Sequence, residues 1–301
     1  MDKFPVLYLS ASTDAVDVSL LTKRDAVLNF VKRNKYSLGE IAAIGDSEND
    51  LPFLEIEGLG LVGAPFNAQK RVKDVLQSKS NYIALTESVL AGFMEFYALA
   101  AKRGIKHIIS DRDGVLIWKG ATAEEIATLK GLLLKQTRES PPTITVLTGS
   151  SVEQNIRFIT DYALADRAYC SSWVLKHPTL IWAENGSAVM NVLSGEVERN
   201  LPDGYEPAAL KLKGSFEAQA RAVIEETVLR KWGFTFSFSQ DDQDEKVYLP
   251  QKETMVTFNM PHSSKDEPEF RKSKQVLIFQ QELISVLAGL ADQAGFHVVR
   301  I

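Results

Sequence analysis

Short apolar runs recur along this chain, and stretches of helical periodicity separate them: "EIAAIGD", "LGLVGAP", "IKHIISD" and "TITVLTG". Runs this short, bounded by Gly and Asp, read as buried strands. Strands that alternate with helices form an α/β fold on a doubly wound, largely parallel sheet. The intervening segments fit. "DVSLLTKRDAVLNFVKRN" places Ala26, Val27, Phe30 and Val31 on one helical face, with Thr22 as N-cap and Lys23 at the helix start. "LPFLEIEG" and "AQKRVKDVLQ" are further helices, and "SVLAGFMEFYALAAKR" is a strong one ended by Gly104. Helices are also expected over 122–136 and 151–163, on either side of a "PP" break and the strand "TITVLTG".

The texture changes near residue 200. "FTFSFSQ" and "KETMVTFNM" alternate apolar and polar residues, the pattern of a half-exposed, largely antiparallel sheet. A polar loop, "PHSSKDEPEFRKS", then leads to a helix over 275–294 and a strand in "GFHVVRI".

The 301 residues are 45% hydrophobic, enough for a sizeable core. A net charge of −5 carries no basic footprint, which argues against nucleic-acid binding. The single cysteine, Cys170, rules out an internal disulfide and a Cys-rich metal site. No run reaches the roughly 18 apolar residues of a membrane span, and the apolar stretch in "MDKFPVLYLSAS" is too short for a signal peptide. The expected location is the cytoplasm, with no membrane partner. Two motifs mislead. "GLGLVG" has dinucleotide-binding spacing but lies in a strand, with no acid near residue 83. "DSENDL" begins like a calcium loop but has Leu51 where that loop needs glycine. His107, His177, His262 and His297 show no ligand spacing.

The chemistry concentrates at strand ends. Asp111 and Asp113 follow the strand at 105–110 and point to the same side while the chain stays extended; Gly114 then permits a sharp turn. "GDSEND" sets Asp46 and Asp50 beyond another strand. Ligands of open parallel sheets bind beyond the carboxyl ends of the strands, so these acids could converge there. Asp46, Asp50 and Asp111 brought together would repel one another and call for a hard divalent cation, which oxygen-only ligands make magnesium. Thr148, in "TVLTGSS", offers a hydroxyl ahead of a helix start, and Lys23 offers a cation at another. Each feature alone has an ordinary explanation as an Asx-turn, a helix cap or a solvated lysine. Together they form a kit for handling a phosphoryl group.

These stretches resemble the haloacid dehalogenase superfamily, in particular its Cof-type and sucrose-phosphatase-like hydrolases. "DRDGV" is similar to the first motif, "VLTG" to the second, "TKRDAVLNF" to the third and "GDSEND" to the fourth. "LIWAENGSAVMN" and "GLVGAPFNAQKRVKDV" resemble the flanking segments, so the likeness spans nearly the whole chain. It implies Asp111 as nucleophile, Asp113 as general acid/base, and Mg2+ as cofactor, with Asp111, Asp113, Asp46 and Asp50 around the metal. Thr148, Gly149, Lys23, Asn49 and Asn185 would contact substrate. It also implies a Rossmann-like core over 16–200 and an α+β cap formed by 201–301 with 1–15.

The motif order departs from the family: the third and fourth come first. Joining the last residue to the first on paper restores the family order, so a circular permutation is expected; the rival is a swapped homodimer that completes each site in trans. "TGSS" stands where relatives have T-G-R, and "KRDA" where they have K-G-x-A. No role follows from the sequence for Arg112. The expected activity is magnesium-dependent hydrolysis of a small phosphate ester, a sugar phosphate or a similar metabolite. A phosphomutase and a non-catalytic binding protein are the alternatives. His262, Arg271 and Lys272 are candidate cap residues for touching substrate.

Overall fold

The computed structural model describes residues 6–11, 15–118, 120–135, 142–239, 246–261 and 274–301. His262, Arg271 and Lys272 lie outside them. The chain divides into two compact units, residues 22–200 and residues 1–21 with 201–301. The boundary expected at 15/16 falls instead at 21/22, because the strand Ala15–Ser19 pairs within the sheet of the second unit.

The unit 22–200 is α/β, as the alternating runs require. Numbering strands along the whole chain, its sheet contains β3 (Ile41–Ile44), β4 (Leu61–Ala64), β5 (Tyr82–Ala84), β6 (His107–Ser110), β7 (Thr143–Leu147), β8 (Leu180–Ala183), β9 (Ala188–Asn191) and β10 (Val197–Arg199). Their spatial order is β10-β9-β8-β7-β6-β3-β4-β5. From β8 to β5 every pair is parallel; β9 and β10 extend the sheet antiparallel. Both faces are covered, which explains the uninterrupted apolar runs. Ala42, Ile44, Ile108 and Val146 pack on one face with Phe93 and Phe96. Ile41, Ala43, Ile109 and Leu147 pack on the other with Val27 and Phe30. The sheet grows outward in opposite directions from the central β3/β6 pair, which makes that pair a topological switch point.

The other unit has a six-stranded sheet made of β1 (Val6–Ala11), β2 (Ala15–Ser19), β11 (Thr235–Ser237), β12 (Lys246–Tyr248), β13 (Val256–Asn259) and β14 (His297–Arg300), in the order β11-β12-β13-β2-β1-β14. The inner pairs are antiparallel, as the alternation implies, but β11/β12 and β1/β14 are parallel.

Residues 206–232 form a helix that the sequence pattern did not announce. Its buried side chains, Ala208, Leu212, Phe216, Ala220, Ile224 and Val228, recur at every fourth position. A regular α-helix would let such a stripe drift by about 40° at each step, or about 200° over its length. Two π-helical turns, Leu212–Phe216 and Glu225–Leu229, interrupt the helix. Each absorbs one extra residue, about 100° of rotation, and together they bring the stripe back onto the core.

His107, the first residue of β6, is buried against the rings of Phe30, 4.4 Å away, and Tyr36, 5.8 Å away. Its Nδ1 meets Thr143 Oγ1 at 2.6 Å, and Nε2 has no hydrogen-bond partner among the described residues. Burial pushes the imidazole pKa down to about 3. An unfolded histidine takes its proton near pH 6.5. Between pH 6.5 and 3 the unfolded chain therefore binds more protons, and stability falls as pH falls, by about 1.4 kcal/mol per pH unit at most. Replacing His107 with Phe should remove about 2 kcal/mol of the stability difference between pH 7 and pH 5, read by urea unfolding. Identical pH dependence in variant and wild type would contradict this.

Candidate active site

The switch point fixes where the site forms. Ile44 and Ser110 are register partners at the ends of β3 and β6, and the Asp111 N–H donates to the Ile44 carbonyl at 3.0 Å. The "GDSEND" and "DRDG" loops thus leave the sheet side by side. Lys23 reaches them from the first turn of the helix Lys23–Asn34. A capping box fixes that helix start: Thr22 Oγ1 accepts from the Asp25 N–H at 3.2 Å, and Asp25 Oδ2 accepts from the Thr22 N–H at 2.9 Å.

Lys23 Nζ donates to Asp50 Oδ1 and to Asp111 Oδ1, each at 2.6 Å. Lys23 and Asp111 are 5% exposed and Asp50 is 0% exposed, so both ion pairs are shielded from solvent. The other oxygen of Asp50 accepts from the N–H groups of Asp46 and Ser47, both at 3.0 Å, and from Ser47 Oγ at 3.1 Å. Asp50 therefore pins its own loop while it holds the lysine. Gly45 makes room for it, since a Cβ there would lie 2.5 Å from Asp50 Cβ.

One ammonium cannot neutralise three carboxylates. Oxygens of Asp46, Asp50 and Asp111 lie within 4.8 Å of one another. Burial pushes Asp46 up to about 8, with the Asp111 and Asp50 charges adding to the shift. Burial and the Asp50 charge push Asp111 up to about 7 against the pull of Lys23. Burial alone would lower the Lys23 pKa, but Asp111 and Asp50 outweigh it and hold it above the ordinary lysine value. Uncompensated negative charge carried only by hard oxygens fits a divalent cation. The residues present thus suit such an ion, held by Asp46, Asp50 and Asp111.

Asp113, counted from the sequence among the metal ligands, stands outside this trio. Its side chain is 57% exposed and faces Arg112 Nη2 at 2.7 Å and Ser150 Oγ at 3.3 Å. Thr148 is buried at the end of β7, and its Oγ1 accepts from the Ser150 N–H at 3.1 Å. The Asn185 N–H donates to the Thr148 carbonyl at 3.0 Å, and a Cβ on Gly149 would lie 3.3 Å from Asn185 Oδ1. This places Asn185 against the Thr148–Gly149 loop. Asn49 is half-buried in the turn Glu48–Asp50. Sequence reasoning missed the buried pair Arg112 and Asn155, joined at 2.7 Å. The only available signal was an arginine wedged between two aspartates.

The family model of haloacid dehalogenase-like hydrolases matches residues 18–84, the stretch that holds Lys23, Asp46 and Asp50. Over that stretch the chain is similar to the haloacid dehalogenase-like hydrolases. That likeness supports a hydrolase in general terms. Comparison with curated proteins and with solved structures gives no match. No helix among the described residues is long and apolar enough to cross a membrane.

Gly114 ties the two acidic loops together. It adopts φ +77°, and a Cβ there would lie 2.2 Å from Asp46 Oδ2. Gly114→Ala should displace the Asp46 carboxylate and weaken the binding of a divalent cation by the aspartate cluster about 10- to 100-fold in calorimetric titration, with the far-UV spectrum unchanged. Unaltered affinity would show that Asp46 is not held in place this way.

Proposed function

We propose that this chain is a magnesium-dependent phosphatase that hydrolyses a small phosphate monoester, a sugar phosphate or a similar metabolite, through an aspartyl-phosphate on Asp111. One observation carries the reading. Lys23 orients the buried Asp111 through Oδ1, while the rest of that carboxylate belongs to a cluster short of positive charge. A bound Mg2+ would neutralise the phosphoryl oxygens and let the carboxylates coexist.

The protein groups supply the remaining steps. Asp111 attacks phosphorus in line; its oxygen forms the new P–O bond as the bond to the leaving oxygen breaks. Asp113 gives its proton to that leaving oxygen. A water then attacks the same phosphorus and passes its proton to Asp113. The bond from phosphorus to Asp111 breaks, which frees inorganic phosphate and restores the carboxylate. Lys23 aims Asp111 and, together with a bound Mg2+, would keep it ionised. Thr148 already accepts from the Ser150 N–H, so its own hydroxyl proton is free to donate to a phosphoryl oxygen. The order of the loops along the chain fits a circularly permuted member of the superfamily.

A panel of phosphate esters assayed with and without Mg2+ tests the reading. Release should depend on the metal, and Asp111→Asn should lower it by at least about 10³-fold. Undiminished release from Asp111→Asn would refute the nucleophile. An isomeric phosphate ester in place of free phosphate would make the protein a mutase.

A further inference from the structure

Arg112 is a buried cation that the mechanism above leaves without a task. It is 6% exposed, and its Nε, Nη1 and Nη2 are all engaged. Nη1 donates at 2.7 Å to Asn155 Oδ1. Asn155, itself 0% exposed, donates through Nδ2 to the Ser151 carbonyl at 2.9 Å. The guanidinium also lies 5.6 Å from the centre of the Phe158 ring. It is thus anchored to the first turns of the helix Val152–Asp161, which follows β7. From that anchor it turns a fork toward Asp113: Nε meets Oδ1 at 3.2 Å and Nη2 meets Oδ2 at 2.7 Å. Ser150 Oγ closes the figure, accepting from Nη2 at 2.8 Å and donating to Asp113 Oδ2 at 3.3 Å.

We propose that Arg112 is a positioning residue: with Ser150 it latches the exposed Asp113 carboxylate in one orientation over the loop that carries Asp111. The inference rests on the phosphatase reading. Asp113 is the most exposed aspartate of the site, and a free aspartate there would sample several rotamers. Two parallel N–H donors fix a carboxylate in plane as well as in distance, which a lysine ammonium cannot do. A buried arginine that served the fold alone could have spent its donors inside, on Asn155 and nearby carbonyls. This one directs two of its nitrogens outward, to the side chain that must meet the leaving oxygen.

The two roles separate on leaving groups. An alkyl phosphate needs a proton on its departing oxygen; p-nitrophenyl phosphate does not. With glycerol 2-phosphate and Mg2+, Arg112→Ala should lose about 100-fold in kcat with KM nearly unchanged, since a misplaced acid costs about that much. With p-nitrophenyl phosphate the loss should stay within about threefold. Added guanidinium should restore part of the glycerol phosphate rate. Arg112→Lys, which keeps the buried charge, and Ser150→Ala, which keeps the arginine but removes its 2.8 Å contact to the serine, should show the same leaving-group bias at smaller size. An active wild type whose variants lose equally on both esters, with no rescue by guanidinium, overturns the latch alone. A wild type that releases no phosphate from either ester, or from any ester on a broad panel, overturns the phosphatase reading and the latch with it.

Discussion

A lysine ammonium clamped between two buried carboxylates holds this site together. Lys23, Asp50 and Asp111 come from three separate stretches of chain and meet through two contacts of 2.6 Å. Removing one member of a buried pair costs about 3–5 kcal/mol, because the partner charge is left without compensation. Their neighbours secure the arrangement. The Thr22 capping box sets the helix start, Gly45 admits Asp50, and the N–H groups of Asp46 and Ser47 take its second oxygen.

The sheet explains why these stretches meet. With β3 and β6 adjacent at the switch point, the loops after both strands emerge at one rim, and Lys23 enters from a helix packed on one face of the sheet. Gly114 brings the "DRDG" turn against Asp46, and the Gln69 N–H donates to the Asp46 carbonyl at 2.8 Å from the segment after β4. The carboxylates are therefore crowded before any ligand arrives, and the strain shows in Asp46, pushed up to about 8 by burial and by its acidic neighbours. Sites that bind phosphoryl groups gain from such preorganisation, because little has to move as charge develops.

Much of this was legible because the signals are local. An apolar run that ends on Asp111 or Asp46 states both the strand and the acid at its tip, and parallel sheets gather such tips on one edge. What escaped was long-range or aperiodic. Arg112 and Asn155 are 43 positions apart, and nothing in either neighbourhood names the other. Asp113 shares a motif with Asp111, yet a neighbouring guanidinium turns it away from the acidic trio, which spacing alone cannot reveal. The helix over 206–232 keeps a four-residue period that matches no regular helix, and only its π-turns make it amphipathic. The parallel pairing of β11 with β12 and of β1 with β14 depends on which strands become neighbours, and alternation says nothing about that.

The central claim is that Asp46, Asp50 and Asp111 share one divalent cation beside Lys23. Anomalous diffraction from crystals soaked in Mn2+, a stand-in for Mg2+, tests it most directly. The account predicts a single strong peak within about 2.2 Å of oxygens from that trio, with the two Lys23 contacts preserved. A saturating soak that leaves the trio empty, or that places the ion elsewhere, would contradict it.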